Sequence, residues 1–264
     1  QEHGVELRLD TEVTKVIVQN GKARGVVLKD GTKLGAKVVV SNINAKVLYL
    51  NLIGEEHLPS RVKKGVESYK LSLCMPMIYL GIKGDVPLRA HHSLQLGRFQ
   101  TMNENWEKYF LAGRFPDDPV SLVAWPTETD PSLAPEGHHV VNVGAMGSYH
   151  LDHGTWDERG EEYTDLILGY VDKTLWPGIR DQIVYQKLST PVDFERRLLS
   201  PEGAVYALQN DIPSTMIFRP SNRSKSIEGL YLTGASTHPG GGVVMTIASG
   251  GISADLIEKD LPSL

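Results

Sequence analysis

Gly229-Leu-Tyr-Leu-Thr-Gly-Ala-Ser-Thr-His-Pro-Gly-Gly-Gly-Val-Val-Met245 reads as an apolar strand that runs through a glycine-rich turn into a helix. Gly240, Gly241 and Gly242 carry no side chains, so a ligand can approach the main chain closely. A helix starting near Val243 points its unpaired N–H groups and the positive end of its dipole at the same place. A phosphate or an electron-rich ring oxygen suits such a turn. A plainer reading stands beside it, a buried strand and helix joined by a flexible glycine turn. Inside the helix, Gly250 and Gly251 each cost about 1 kcal/mol relative to Ala. With Ala248 and Ala254 they form a small-residue face, which predicts close packing against a sheet.

Working outward, the first 42 residues give short strands, with turn signals at Asn20-Gly21 and Asp30-Gly31 that predict two hairpin connections. Val5 to Leu9 is strand-like as well. Asn42 to Leu52 reads as a helix capped by Asn44, with Val47, Leu48 and Leu52 on its apolar face. Pro59 to Ser68 reads as another helix. Leu71 to Ile82 reads as a long strand whose Pro76 predicts an edge or a bulge. A strand at Ser93 to Leu96 and a helix at Glu104 to Ala112 follow. Val120 to Trp125 and His138 to Ala145 are expected to pair antiparallel across the turn Pro131 to Gly137. Asp157 to Leu175 repeats Tyr163, Leu166, Ile167, Tyr170 and Leu175 at helical spacing and stops at Pro177-Gly178. Ile183 to Leu188 reads as a strand and Val192 to Leu199 as a short helix. The class is α/β in the mixed α+β sense, with helices outside a mixed sheet.

The 264 residues suffice for one large or two modest cores, and 41% hydrophobic with 22% charged residues is ordinary for a globular protein. A formal charge of -5 with a pI near 6.0 leaves no electrostatic footprint for nucleic acid. The single Cys74 excludes an internal disulfide framework and fits a reducing, cytoplasmic setting, and its apolar neighbours make it a buried thiol. The longest apolar run, Leu71 to Ile82, is too short to cross a bilayer, so any membrane contact is expected to be peripheral.

The segment Tyr231-Leu-Thr-Gly-Ala-Ser-Thr-His-Pro-Gly-Gly-Gly-Val243 resembles the C-terminal flavin-binding motif of the phytoene desaturase and carotenoid isomerase family, within the amine oxidase-like FAD enzymes. Glu12-Val13 through Ile17 with Asn20-Gly21-Lys22, then Val38 through Asn42, is similar to the family's hairpin and strand beside the adenosine half of FAD. Asp130 to Gly137, Leu175-Trp-Pro-Gly178 and Thr190-Pro191 through Gly203 are similar to landmarks of its substrate region. No Gly-x-Gly-x-x-Gly fingerprint is present, although the family opens with one, and the chain begins at Gln1. The resemblance therefore implies a C-terminal part of a longer flavoprotein. It implies an incomplete FAD-binding lobe at residues 1–45 and 226–264, with a mixed-sheet substrate domain at 46–225. An unpaired sheet edge in that lobe is expected to favour dimerisation, and so a homo-oligomer, or local disorder.

The resemblance implies FAD as cofactor, held by Gly234, His238, Pro239, Gly240, Gly241, Gly242, Val243, Val244 and Met245, with Val13 at the adenine and Ser41 and Asn42 near the adenosine end. Two readings stand for His238, cofactor contact and turn packing, and two for Val13, adenine contact and ordinary strand core. Ala235 stands where some broader relatives place Asp, so any bond from that carboxylate is lost. The implied chemistry is electron or hydride transfer that inserts double bonds into an apolar carotenoid-like polyene. The alternatives are redox-neutral cis–trans isomerisation, an amine oxidase-like reaction on another substrate, and a piece that is inactive alone. No catalytic acid or base is assigned.

Other clusters point to bland roles. His138 and His139 alternate across a strand and cannot share one metal, and His91-His92 and His150 with His153 lack ligand spacing, so no metal is expected. Asp157-Glu158-Arg159 with Glu161-Glu162 fits a solvated helix start. Glu195, Arg196 and Arg197 fit either a surface ion-pair patch or the wall of a substrate channel.

Overall fold

Side chains alternate across a strand, so the positions of the turns decide which face of each sheet is buried. The computed structural model describes residues 4–96, 106–211 and 218–263. It divides into two units, one of Gln1–Ser72 with Tyr206–Leu264 and the other of Leu73–Val205.

In the first unit, β1 (Val13–Gln19), β2 (Lys22–Leu28) and β3 (Lys33–Gly35) form an antiparallel sheet. Asn20 and Gly21 both take positive φ, 51° and 74°, the twist that a two-residue hairpin demands. At the second turn Asp30 accepts a hydrogen bond from the Thr32 N–H at 2.9 Å. Val5 to Leu9 form no strand. Val5, Leu7 and Leu9 are 65 to 73% exposed, and without a described pairing partner an extended run has no ladder to join. β4 (Val39–Ser41) pairs parallel with the strand Leu230–Leu232, and between the hairpin and Ser60 the chain forms a wide π-helical segment, Val47–Gly54. Asn44 caps that segment by accepting from Lys46 N–H at 2.9 Å. Its wider turn carries the buried face through Leu48, Tyr49 and Ile53, leaving Val47 and Leu52 only partly buried. Helix α1 (Ser60–Ser68) adds Val66. Ala45, Leu48, Tyr49, Ile53, Leu58 and Val66 share one core with Val16, Ala23, Val39, Leu230 and Leu232. With that shared core, the two compact units divide at 72/73 and 205/206.

The second unit is a five-stranded sheet containing β5 (Met77–Lys83), β6 (His92–Gln95), β7 (Ser121–Ala124), β8 (His138–Ala145) and β9 (Ile183–Ser189), in the order β6-β7-β8-β5-β9. Every pairing in it is antiparallel, so this sheet is not the mixed one expected; the parallel pairing among the described strands is that of β4. β5 is an inner strand, and Pro76 precedes it, where a missing N–H takes nothing from the ladder. Of the expected helix at Glu104 to Ala112, Glu104 lies outside the described residues, and a π-helical turn covers Trp106–Leu111.

Helix α2 (Trp156–Thr174) crosses from β8 to β9 and buries Trp156, Tyr163, Ile167, Leu168 and Val171 against Ile78, Leu80, Ile82, Val141 and Val143. A capping box at Thr155 and Glu158 starts it, and the left-handed Gly178 (φ 85°) follows its end. Helix α3 (Pro191–Leu198) starts with the same device at Thr190 and Asp193. Cys74 is 3% exposed and its thiol donates to the Gly147 carbonyl at 2.8 Å. Burial pushes its pKa to about 12, so at neutral pH it is not a nucleophile.

Thr155→Ala and Thr190→Ala are each expected to destabilise the protein by about 1 kcal/mol in urea unfolding, because each removes a helix N-cap. The Thr190 N–H holds the Asp193 carboxyl below its ordinary pKa against the opposing effect of burial. A depressed pKa stabilises the fold above the unfolded value of about 3.9, and that contribution is lost as pH falls through the folded value. Asp193→Asn should therefore lower the thermal midpoint at neutral pH and match the parent once the carboxyl is protonated.

Candidate functional site

The last strand, β10 (Leu230–Leu232), is fully buried and leads into Thr233, whose N–H donates to the Ser41 carbonyl at 2.9 Å. Gly234 follows with φ 85°, and a Cβ built on it would lie 3.4 Å from the Asn42 carbonyl oxygen. The structure thus brings Ser41, Asn42 and Gly234 together at the carboxyl ends of the parallel pair. Val13 sits elsewhere in the same unit, at the start of β1 opposite Leu28, and no described hydrogen bond joins it to the glycine turn.

From Gly234 the chain passes through buried Ser236 and Thr237, exposed His238 and Pro239 to the glycines. Gly242, with φ 105° and ψ 144°, is the N-cap of helix α4 (Val243–Asp260), and no side chain caps that end. Thr246 N–H makes the first helical bond, to the Gly242 carbonyl at 2.9 Å, so the amides of Val243, Val244 and Met245 lack intrahelical acceptors. Among the described residues the amides of His238, Gly240, Gly241 and Gly242 also find no acceptor. The result is a cluster of main-chain donors at a positive helix end, rimmed by exposed Val243, Val244, Met245 and Ile247. His238 makes no described hydrogen bond. Gly241 backs onto Tyr206, where a Cβ would come within 2.7 Å of the ring, whereas the space beside Gly242 is open.

Helix α4 packs differently from expectation. Ala248, Gly251 and Ala254 are exposed, and the buried residues are Ser249 and Ser253. Asn222 accounts for this. Its Nδ2 lies 3.1 to 3.4 Å from the Leu232 carbonyl, the Ser249 carbonyl and hydroxyl and the Ser253 hydroxyl. Ser253 also donates to the Leu232 carbonyl at 2.8 Å, and Gly234 N–H donates to the Ser249 hydroxyl at 3.1 Å. Buried hydroxyls that are all hydrogen-bonded pack against a strand as firmly as small apolar groups.

Arg219 was not legible as a site residue. It is 5% exposed and donates from Nη2 to the Ala235 carbonyl at 2.6 Å, from Nε to the Thr237 carbonyl at 3.1 Å and from Nη1 to Asn210 Oδ1 at 3.2 Å. Burial lowers its pKa. The sequence signal, a lone Arg before Pro220, is too common to single out.

In the second unit, Leu94, Leu122, Met77 and Tyr79 fall by register on the sheet face opposite the buried Ile78, Leu80, Val123 and Val143. Leu94 and Tyr185 are exposed, and Asn142, across from Tyr79, carries a buried Oδ1 with no partner among the described residues. Glu195 accepts from the Tyr149 hydroxyl and from Glu202 N–H at 3.2 Å, while Arg196 pairs with Asp193 at 2.8 Å. The Glu195 carboxylate pushes the Tyr149 pKa up to about 12. His139 Nδ1 lies 3.2 Å from the Thr127 hydroxyl, and His138 Nδ1 lies 3.0 Å from the Glu136 carbonyl. No described group of three or more His, Cys, Asp or Glu is placed to hold a metal ion.

The chemistry of the donors suits the electron-rich edge of a flavin: Gly242 leaves open space beside the unpaired amides, and exposed Val243 and Val244 border it. Residues 1–257 match the family described as flavin containing amine oxidoreductase. A phytoene desaturase (neurosporene-forming) from Rhodobacter capsulatus is 34% identical over 262 residues, covering 97% of this chain and 50% of the relative. A prolycopene isomerase from an Oncidium hybrid cultivar is 31% identical over 265 residues, covering 98% of this chain and 43% of the relative. Among solved structures, an oxidoreductase from Methanosarcina mazei aligns with a TM-score of 0.60 at 20% identity, covering 93% of this chain and 49% of that one. Putrescine oxidase aligns with a TM-score of 0.61 at 14% identity, covering 97% of this chain and 50% of that one; both show the shared fold. The class is therefore that of FAD-dependent oxidoreductases. This chain belongs to the flavin-containing amine oxidoreductase family, and it spans about half the length of the curated relatives it matches.

Gly242→Ala should destabilise the protein by roughly 1–3 kcal/mol in denaturant unfolding through backbone strain alone, since nothing lies within 4 Å of the added methyl. Gly251→Ala, equally open but inside α4, should stabilise it by about 1 kcal/mol.

Proposed function

We propose that this chain supplies the C-terminal part of an FAD-binding lobe and the substrate-facing sheet of a carotenoid desaturase that inserts double bonds into an apolar polyene. The observation that carries the reading is the cluster of unpaired main-chain donors from His238 to Met245 at the start of α4. These amides would hold the pyrimidine edge of the flavin, and being fixed by the fold they need no reorganisation as negative charge grows there. When bound, the flavin accepts the hydride removed from the substrate. Val243, Val244 and Ile247 would exclude water from its face. Ser41 and Asn42, beside Gly234, are assigned to the adenosine end of the cofactor by family resemblance, and Val13 to the adenine in the same way.

The open face of the five-stranded sheet supports an apolar substrate. Met77, Tyr79, Leu94 and Leu122 line it, with Lys187 across from Tyr79 on the β9 side. Peripheral membrane contact is the proposed route of entry for such a substrate; no described helix is long and apolar enough to cross a bilayer.

A second reading, redox-neutral cis–trans isomerisation, is favoured by the relative that is a prolycopene isomerase. Anaerobic incubation of the FAD-loaded protein with phytoene and with a cis-carotenoid separates them. Desaturation should bleach the flavin in proportion to the double bonds formed and move product absorbance to longer wavelength. Isomerisation should change the product with no net flavin reduction. A protein that takes up no FAD would overturn both. Leu122→Asp should raise KM for the polyene at least tenfold, read from initial rates, because position 122 lies between Leu94 and Gly144 and burying an unpaired carboxylate there against a hydrocarbon is strongly unfavourable.

A further inference from the structure

We propose that Arg219 is the positioning residue of the glycine turn, drawing the Ala235 and Thr237 carbonyls inward so that the His238 N–H, opposite the second of them, faces the flavin edge. The proposal rests on the flavin reading above. The argument is one of peptide geometry. A trans peptide is planar, with its C=O and N–H pointing in opposite directions. Arg219 Nη2 donates to the Ala235 carbonyl at 2.6 Å, and Nε donates to the Thr237 carbonyl at 3.1 Å. The N–H groups in those same peptide units belong to Ser236 and His238, so both are turned away from the guanidinium. A planar, fork-shaped donor set holds two carbonyls in a fixed relative orientation.

The guanidinium also backs Gly240, whose Cβ position lies 3.7 Å from Arg219 Cζ. Arg219 thus supports the turn from Ala235 through the first glycine, and Asn210 supports Arg219 in turn, accepting from Nη1 at 3.2 Å. The two ends of the segment are held by other means, β10 at one side and the serine face of α4 at the other. Between them Ser236 accepts from Ala45 N–H at 2.9 Å, the Thr237 hydroxyl donates to the Pro220 carbonyl and Gly241 rests on Tyr206, while Arg219 is the side chain that holds main-chain carbonyls of the turn at two places. Arg219 touches no substrate in this account; it acts through the backbone it holds.

Three variants test the assignment, Arg219→Gln, Arg219→Lys and Asn210→Ala, each compared with the parent in two measurements. The first is the NMR order parameter of the Gly240, Gly241 and Gly242 amides, about 0.85 for rigid backbone and below about 0.6 for flexible backbone. The second is the dissociation constant for FAD. Arg219→Gln should move the glycines into the flexible range, leave the Val13–Leu28 hairpin rigid, and weaken FAD binding at least tenfold. Arg219→Lys should fall between it and the parent, because an ammonium can donate to carbonyls but lacks the rigid fork that fixes their relative orientation. Should Arg219→Gln fail to fold, Asn210→Ala carries the test with a smaller change in the same direction. Glycines that stay rigid in the variants overturn the proposal, as does mobility gained with FAD affinity unchanged. If the parent protein takes up no FAD, the flavin reading falls, and the order parameters alone decide whether Arg219 sets the turn.

Discussion

The hydrogen-bonded clip formed by Asn222, Ser249 and Ser253 decides where the last helix starts. One amide group gathers the carbonyl of Leu232, the carbonyl and hydroxyl of Ser249 and the hydroxyl of Ser253, and Ser253 bonds Leu232 again. All of these groups are buried, so each would be strongly unfavourable if left unpaired. Strand and helix are therefore locked in one relative position, and the turn between them must span a fixed gap. Glycine is what the chain can place there, since Gly234, Gly240 and Gly242 all take positive φ.

Because the polar side of α4 is spent on that clip, its apolar residues look outward. Val243, Val244 and Ile247 are more than two-thirds exposed, at 77, 74 and 71%. A helix with hydroxyls inside and valines outside inverts the usual pattern of a surface helix. The inversion makes sense when the exposed side has its own use, and the unpaired amides at the same helix end point to that use. The second unit is conventional by comparison. Alternating strand residues and the face of α2 bury one side of its sheet around Tyr163, Ile167 and Trp176.

Strong local signals were legible. Asn20-Gly21 turned where a two-residue hairpin should, Asn44 capped a helical segment, and the apolar repeat through Tyr163 and Ile167 formed α2. Failures came where the outcome depends on a distant partner. Val5 to Leu9 have strand-forming composition but no described strand beside them. Pro76 was read as marking an edge or a bulge, yet β5 is an inner strand, because the proline sits one residue before the ladder begins. Ala248, Gly251 and Ala254 looked like a packing face by size alone, and the serines won because Asn222 offered them partners.

Local sequence determined the elements and the glycine turn, since hairpin chemistry, helix caps and backbone permissiveness act within a few residues. It also carried enough family-specific pattern to identify a flavoprotein. Only the tertiary structure decided which carbonyls Arg219 would hold, which face α4 would bury and where the two units divide. Those choices rest on hydrogen bonds and core contacts between segments far apart in the chain, such as Tyr49 to Ser224, and no local periodicity encodes which distant group will be there to satisfy them.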